Sequence, residues 1–378
     1  MRHVRVLQIH TRYRSGRGGE DTVVDSEWAV LRHGGHTVRR WETSNAASTL
    51  RTAARLTVAF WNPMAARTLR AVITEFQPDV AHVHNTWFSA SASVTRVLRQ
   101  EGVPTVMTLH NYRLTCANAL LYRDQGYCQS CVVGSAWNSV RFGCTEGPRL
   151  TAVPAALSIA VHRSFDTWNR NVDLFLAPSM FVAEIMGKAG IEEGKLLVKP
   201  HFLSRIPGRR AAPPSNSREL LFVGRLAEPK GIDLVLDAWK RAKPSGLRLA
   251  IIGDGPSRPL VEATAREDSS VEYFGWLDST AVLRKMGSAR SLLFASRGPE
   301  TFGLVLIEAL GSGLPVAGAR VAIVPELARH LPTMPTFVPG DRDALIRAIE
   351  TLNDDALVDA LGAKGLSLFS EESEALAR

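Results

Sequence analysis

The chain has 378 residues, 45% of them apolar and 22% charged, and a net charge of +8. That length exceeds one ordinary hydrophobic core, so two domains are expected, and the composition is that of a globular protein rather than a disordered or fibrous one. No apolar run approaches the roughly 20 residues needed to span a bilayer. The opening stretch from Met1 to Ile9 reads as a strand rather than a secretion signal, which makes the cytoplasm the expected location. The basic excess suits nucleic acid, an anionic membrane surface or phosphate-bearing small molecules. Its residues are scattered, mostly arginine, and no basic strand carries aromatic platforms, so nucleic acid is set aside. Weak peripheral attraction to the inner face of a membrane stays open.

In chain order, Arg5–His10 is an apolar strand followed by a loop from Thr11 to Gly19. Val24, Trp28 and Leu31 recur at helical spacing and stop at Gly34-Gly35. Thr37–Trp41 is a second strand, Leu69, Val72, Ile73 and Phe76 mark a helix, and Asp79–His84 and Pro104–His110 are short buried strands. Val172–Ala177 and Leu196–Pro200 repeat the pattern. Residues 206–217, rich in proline, glycine and serine, form the expected linker. The same grammar then restarts with strands at Leu220–Val223, Leu247–Ile252, Val271–Phe274, Leu292–Ala295 and Pro315–Gly318. Alternating strands and helices imply parallel sheets covered on both faces, with ligands bound beyond the carboxyl ends of the strands.

Those strand ends carry the chemistry. Gly224-Arg225-Leu226-Ala227-Glu228-Pro229-Lys230-Gly231 sets two cations in a loop before a helix start, a geometry for a diphosphate. Gly298 to Pro315 follows a strand, opens a helix and holds two acids, Glu300 and Glu308. Together with Ile252-Gly253-Asp254-Gly255-Pro256, these segments resemble the retaining glycosyltransferases of family 4, which have the GT-B fold. The first half is similar to them in Gly18-Gly19-Glu20-Asp21, Gly35-His36-Thr37-Val38, Asp79 to His84 and Thr108-Leu109-His110-Asn111-Tyr112.

The resemblance implies an α/β architecture of two Rossmann-like αβα domains facing each other across a cleft. The expected acceptor-side domain is 1–205, with a cysteine-bearing excursion at 111–149. The donor domain is 218–360, and 361–378 is a tail returning towards the first domain. The partners implied are a nucleotide-sugar, with UDP the expected nucleotide, and a hydroxyl acceptor. No cofactor is required, because Arg225 and Lys230 hold the diphosphate in place of a divalent metal. Glu308 accepts from ribose hydroxyls and Glu300 binds the transferred sugar. The amides of Phe302, Gly303 and Leu304 meet sugar or phosphate. Gly18 and Gly19 let the first-half loop approach the diphosphate, Gly224, Gly253 and Gly255 complete the donor loops, and residues 273–277 border the base. His110 lies near the reacting sugar. Val321 to Glu326 departs from the family's Gly-Gly-x-Pro-Glu turn.

Other features stay open at this level. Glu20 and Asp21 suit a helix N-terminus and equally an acceptor site, with Asn111 beside it. His82 and His84 read as structural or supporting residues. Cys116, Cys128, Cys131 and Cys144 can build a tetrahedral structural zinc site that staples the excursion, or remain reduced thiols. Leu150–Phe165 reads as a core-facing helix more readily than as a surface helix meeting a lipid-linked acceptor. The acceptor is either a lipid-linked or cell-surface glycan precursor, or a soluble molecule such as an aminocyclitol. A GT-B sugar-nucleotide epimerase and a non-catalytic sugar-nucleotide-binding module are the competing classes.

Overall fold

The computed structural model describes residues 3–12, 19–44, 61–87, 89–203, 208 and 210–377, with side chains to 370. The chain forms two compact units: residues 1–121 with 128–204, and residues 122–127 with 205–378.

The first unit is built on a parallel sheet of β1 (Arg5–Arg12), β2 (Thr37–Ser44), β3 (Val80–Val83), β4 (Thr105–Thr108), β7 (Leu174–Ala177) and β8 (Leu196–Val198). The intervening β5 (Tyr122–Arg123) and β6 (Gly126–Tyr127) form a separate hairpin. The spatial order of the sheet is β2-β1-β3-β4-β7-β8. Helices cover it, so Leu7, Ile9, Ala81, Val83 and Phe175 are almost fully buried, as expected for a parallel sheet. The apolar pattern is broken at Gln8 and His10, each 1% exposed. They are followed across the sheet by His82 and His84 on β3 and the residue after it. In register, Gln8 pairs with Arg40 on one side and His82 on the other. A polar stripe therefore crosses the middle of an otherwise apolar sheet, beneath the helix Gly19–His33.

The second unit repeats the plan with β9 (Glu219–Val223), β10 (Arg248–Ile252), β11 (Val271–Gly275), β12 (Ser291–Phe294), β13 (Val316–Ala319) and β14 (Thr336–Phe337). Their order is β11-β10-β9-β12-β13-β14, again all parallel. Leu221, Ala250, Leu292, Phe294, Leu306 and Val316 centre its core.

Two boundaries differ from the sequence expectation. The excursion at 111–149 is divided, because its hairpin at 122–127 belongs to the second unit. The expected tail from residue 361 is the continuation of one helix, Asp355–Ala377, whose Leu361, Leu368 and Phe369 join the second unit's core. The linker is also packed in its second half. Arg210 donates to the carbonyls of Gly313 and Ala289, and Ser215 bonds Asp359. Fully buried Arg290 donates to Ser215, Ser217, Leu352 and Asn353 carbonyls and to Asp355, tying linker and last helix to the sheet. Residues 204–207 and 209 lie outside the described residues.

Candidate functional site

In the second unit the loops after β9, β10 and β12 converge. Gly231 explains how the first reaches the third. Its φ is +73°, and a Cβ there would sit 2.1 Å from the Ala295 carbonyl oxygen. Only glycine permits that approach, which lays Lys230 against the end of β12. Gly253 makes the equivalent approach to Gly224, where a Cβ would meet the Gly224 carbonyl oxygen at 1.8 Å. The backbone amides of Arg297 and Gly298 both donate to Pro229 O, and Arg297 holds Asp233 through two hydrogen bonds of 3.1 and 2.8 Å. Tyr122 of the hairpin donates to Glu228 at 3.2 Å and packs beside Gly298.

On this frame Lys230 Nζ meets Glu300 Oε1 at 2.7 Å, and Ser296 Oγ donates to the same carboxylate. Arg225 is exposed, and its side chain has no ion-pair or hydrogen-bond partner among the described residues. Gly303, at φ +69°, caps the helix Leu304–Gly311, so the amides that open this helix face away from its hydrogen-bond ladder. Glu308 lies one turn further, half-buried, and burial pushes its carboxyl up to about 7 from the ordinary 4.5. No hydrogen bond to that carboxylate occurs among the described residues. The site therefore offers two cations and helix-start amides to an anion, and two carboxylates to neutral hydroxyls. Tyr273 donates to the Gly253 carbonyl, and Trp276 beyond it is 52% exposed. In the turn that departs from the family pattern, Ala322 takes a φ of 54°, in the left-handed region.

In the first unit Glu20, Asp21 and Asn111, expected on the acceptor side, and His110, expected near the reacting sugar, lie among histidines. His10 Nε2 lies 2.7 Å from Asp21 Oδ1 and its Nδ1 3.9 Å from Glu20 Oε1. Asn111 Nδ2 reaches Glu20 Oε2 at 3.5 Å, and His110 Nε2 is 2.9 Å from His84 Nδ1. His110 and His201 stack with centroids 5.1 Å apart. Burial, followed by the neighbouring imidazoles, holds His84 and His110 well below 6.5. A pocket beside His110 is walled by Trp87, Asn111 and Arg113 and, from the helix Val153–Ser164, by Ser158, Ile159 and His162. That helix faces the core through Ala155, Ala156 and Ile159, while Leu150 and Phe165 at its ends are exposed. Gly19 opens the first helix; Gly18 lies outside the described residues.

None of the four cysteines is in a disulfide. Burial first, and then Cys116, Cys144 and Cys128, raise Cys131 to about 11. Among the described residues the group with ligand atoms within 4.8 Å of one another is Glu27, His82 and His84. There Lys199 already compensates Glu27 at 3.0 Å.

Residues 3–201 match the glycosyl transferase 4-like domain, and residues 217–355 match the glycosyl transferases group 1 domain. The chain belongs to the family 4 glycosyltransferases of GT-B fold. It is 26% identical over 301 residues to an N-acetyl-alpha-D-glucosaminyl L-malate synthase of Bacillus anthracis, covering 78% of this chain and 70% of that protein. It is 25% identical over 288 residues to a sulfoquinovosyl transferase of Arabidopsis thaliana, covering 75% of this chain but only 51% of that protein. Among solved structures, Anabaena HepE in complex with UDP and glucose aligns with a TM-score of 0.65 at 16% identity, over 98% of this chain and 95% of that one. A sucrose-phosphate synthase of Thermosynechococcus elongatus aligns with a TM-score of 0.68 at 17% identity, over 98% and 94%. At such identities these structures establish the fold. No described helix of this glycosyltransferase is long and apolar enough to cross a membrane.

Sequence reasoning named Arg225, Lys230, Glu300 and Glu308 in the second unit and Glu20, Asp21, His110 and Asn111 in the first; of these the structure joins Lys230 to Glu300 and Asn111 to Glu20. It passed over His10, Gln8, His201, Ser296 and the Arg297–Asp233 pair. The available signal for Gln8 and His10 was a pair of polar residues alternating inside a buried strand, where each must find a partner.

Proposed function

We propose that this glycosyltransferase moves a hexose or N-acetylhexosamine from a nucleoside-diphosphate sugar, UDP being the nucleotide, to a hydroxyl acceptor with retention of configuration. The observation that carries the donor assignment is the Lys230–Glu300 contact at 2.7 Å, in a unit where the Arg225 and Glu308 side chains have no partner among the described residues. The similarity to HepE, whose structure holds UDP and glucose, supports the same nucleotide.

Arg225 takes the diphosphate with its planar fork and Lys230 with a point charge, so no divalent metal is needed. As the bond from C1 to the diphosphate oxygen breaks, charge grows on the leaving group. Fixed cations and the amides at Gly303 and Leu304 stabilise it. Glu300 and Glu308 accept hydrogen bonds from sugar and ribose hydroxyls. The acceptor oxygen bonds to C1 on the face the diphosphate leaves, and its proton passes to the departing phosphate oxygen. The first unit, with His110, Glu20, Asp21 and Asn111, serves the acceptor side.

A lipid-linked or cell-surface glycan precursor is the acceptor class supported by exposed Val133, Trp137, Phe142, Leu150 and Phe165, which are interspersed in sequence with exposed Arg141 and Arg149. A structural zinc on Cys116, Cys128, Cys131 and Cys144 is supported by the Cys-x-x-Cys spacing alone; among the described residues no three of their sulfurs lie within 4.8 Å of one another. Cys128→Ser with Cys131→Ser should abolish zinc in metal analysis and lower thermal stability; zinc-free wild-type protein of full stability removes that assignment.

The deciding experiment incubates purified protein with a panel of nucleotide-sugars and follows hydrolysis or transfer by mass spectrometry, with the anomeric configuration read by NMR. Turnover of a UDP-sugar with retention is expected. Epimerisation of the donor without acceptor, or binding without turnover, overturns the reading. Flotation with anionic vesicles tests the acceptor class, and a protein that stays off the vesicles favours the soluble acceptor.

A further inference from the structure

The polar stripe across the first sheet is a directional chain of hydrogen bonds. Arg40 on β2 donates from Nε to Gln8 Oε1 at 2.8 Å, and its other nitrogens are held by Asp25 and by the Val24 carbonyl. Gln8 on β1 donates from Nε2 to the same Val24 carbonyl at 3.0 Å. Both neighbours have fixed polarity, so the Gln8 amide cannot be reversed without setting N–H against N–H and oxygen against oxygen. Its second Nε2 hydrogen is left for His84 Nε2, 3.3 Å away. That nitrogen must then be the bare one. A neutral His84 carries its hydrogen on Nδ1 and donates it to His110 Nε2 at 2.9 Å. His110 Nε2 is therefore also bare.

Taking His110 as an acceptor-side residue, as read above, we propose that Gln8, held by Arg40, and His84 are positioning residues that set the tautomer of His110. They leave its Nε2 unprotonated and its proton on Nδ1, so that His110 acts on substrate as a hydrogen-bond donor and not as a base. The chain runs through adjacent strands in the order β2, β1, β3 and the end of β4, which gives it the rigidity of the sheet. Burial keeps both rings neutral, which the argument requires.

One competitor faces the same nitrogen. Glu27 Oε2 lies 3.4 Å from His84 Nε2 and 3.4 Å from His82 Nδ1. It would draw a hydrogen onto His84 Nε2 and reverse the chain. Distance does not separate the two, since Gln8 Nε2 stands at 3.3 Å and Glu27 Oε2 at 3.4 Å; what does is that the second Gln8 hydrogen has no other acceptor among the described residues, whereas Glu27 has Lys199 at 3.0 Å on Oε1 and the His82 Nδ1 position facing Oε2. His82 is held separately, by Thr108 at 2.7 Å.

Ring-nitrogen NMR of the full chain with ¹⁵N-labelled histidine reads the tautomers directly, with signals assigned by their loss in His84→Gln and His110→Gln. The expected result at pH 7 is a bare Nε2 and a protonated Nδ1 on both rings. The opposite tautomer, two protonated nitrogens on His110, or a cluster spectrum that changes on adding a chelator would overturn the proposal, the last by placing a metal ion on Glu27, His82 and His84. Gln8→Glu supplies a side chain that only accepts, so it should force hydrogen onto His84 Nε2 and swap His110. Transfer should then fall on the order of 10- to 100-fold in kcat, with the donor KM within about twofold. A swapped tautomer with unchanged kcat refutes the positioning role. If Gln8→Glu does not fold, the wild-type spectrum decides alone. Because the spectrum needs no substrate, failure of the relay and failure of the His110 assignment are told apart.

Discussion

Glu308 should show opposite effects on stability and on binding from one substitution. Burial lifts its carboxyl to about 7 from 4.5. A carboxyl whose folded value lies above its unfolded one holds its proton more tightly in the fold. The stability it permits is fully present below 4.5 and is lost as pH rises through 7. At about 1.4 kcal/mol for each tenfold change, the ionised group costs the fold about 3 kcal/mol at pH 8. Glu308→Gln keeps the shape and removes the charge. It should match the parent below pH 4.5 and exceed it by about 3 kcal/mol above pH 7, a rise of roughly 6–12 °C in the melting transition of the second unit.

Binding should move the other way. An ionised Glu308 accepts from ribose hydroxyls, and hydrogen bonds to charged groups are worth about 1.5–3 kcal/mol. Glu308→Gln should therefore weaken UDP by roughly 10- to 100-fold at pH 8. In the parent, UDP binding at pH 7 should release on the order of half a proton as the carboxyl ionises. Thermal denaturation across pH and calorimetry in buffers of different ionisation enthalpy measure both. A variant no more stable than the parent at pH 8, or one binding UDP equally well there, refutes the assignment.

Glu300→Gln frees Lys230 from its 2.7 Å partner. Since such half-exposed pairs are worth up to about 1 kcal/mol, UDP should bind up to about fivefold tighter by calorimetry. Sugar transfer should nonetheless fall at least ~100-fold, because the hydroxyl contacts of the sugar are lost. Lys230→Ala should weaken UDP by roughly 10-fold or more, the loss of a charge-assisted contact, and unchanged affinity would remove Lys230 from the diphosphate site. Gly231→Ala places a Cβ 2.1 Å from the Ala295 carbonyl oxygen at a φ of +73°. It should cost about 2 kcal/mol or more in denaturant melts and displace Lys230.

What the sequence made legible follows from how each feature is encoded. The parallel sheets were readable because both faces are buried, which writes each strand as an apolar run such as Leu220–Val223. The loops proposed for the donor are marked in the sequence by glycine beside a cation at a strand end, which is a local pattern. The hairpin at 122–127 was not, although it divides the excursion between units. Its two turn residues, Asp124 and Gln125, have φ of 49° and 62°. That turn ordinarily announces itself as Asn-Gly or Asp-Gly, and Gln125 hides it.

The chain through Gln8, His84 and His110 was hidden for a different reason. Its members are 76 and 26 residues apart in sequence, and each alone is only a polar residue in a strand. Direction enters through Arg40, whose guanidinium can only donate, and the Val24 carbonyl, which can only accept. The two units thus encode their chemistry in different ways. The donor site proposed for the second unit is written in short segments, because a diphosphate is recognised by cations and amides that individual strand-end loops can carry. The first unit's site depends on which strands lie side by side. Its histidines acquire definite roles once the order β2-β1-β3-β4 is fixed, and a substitution on β1 or β2 should therefore alter His110 without touching it.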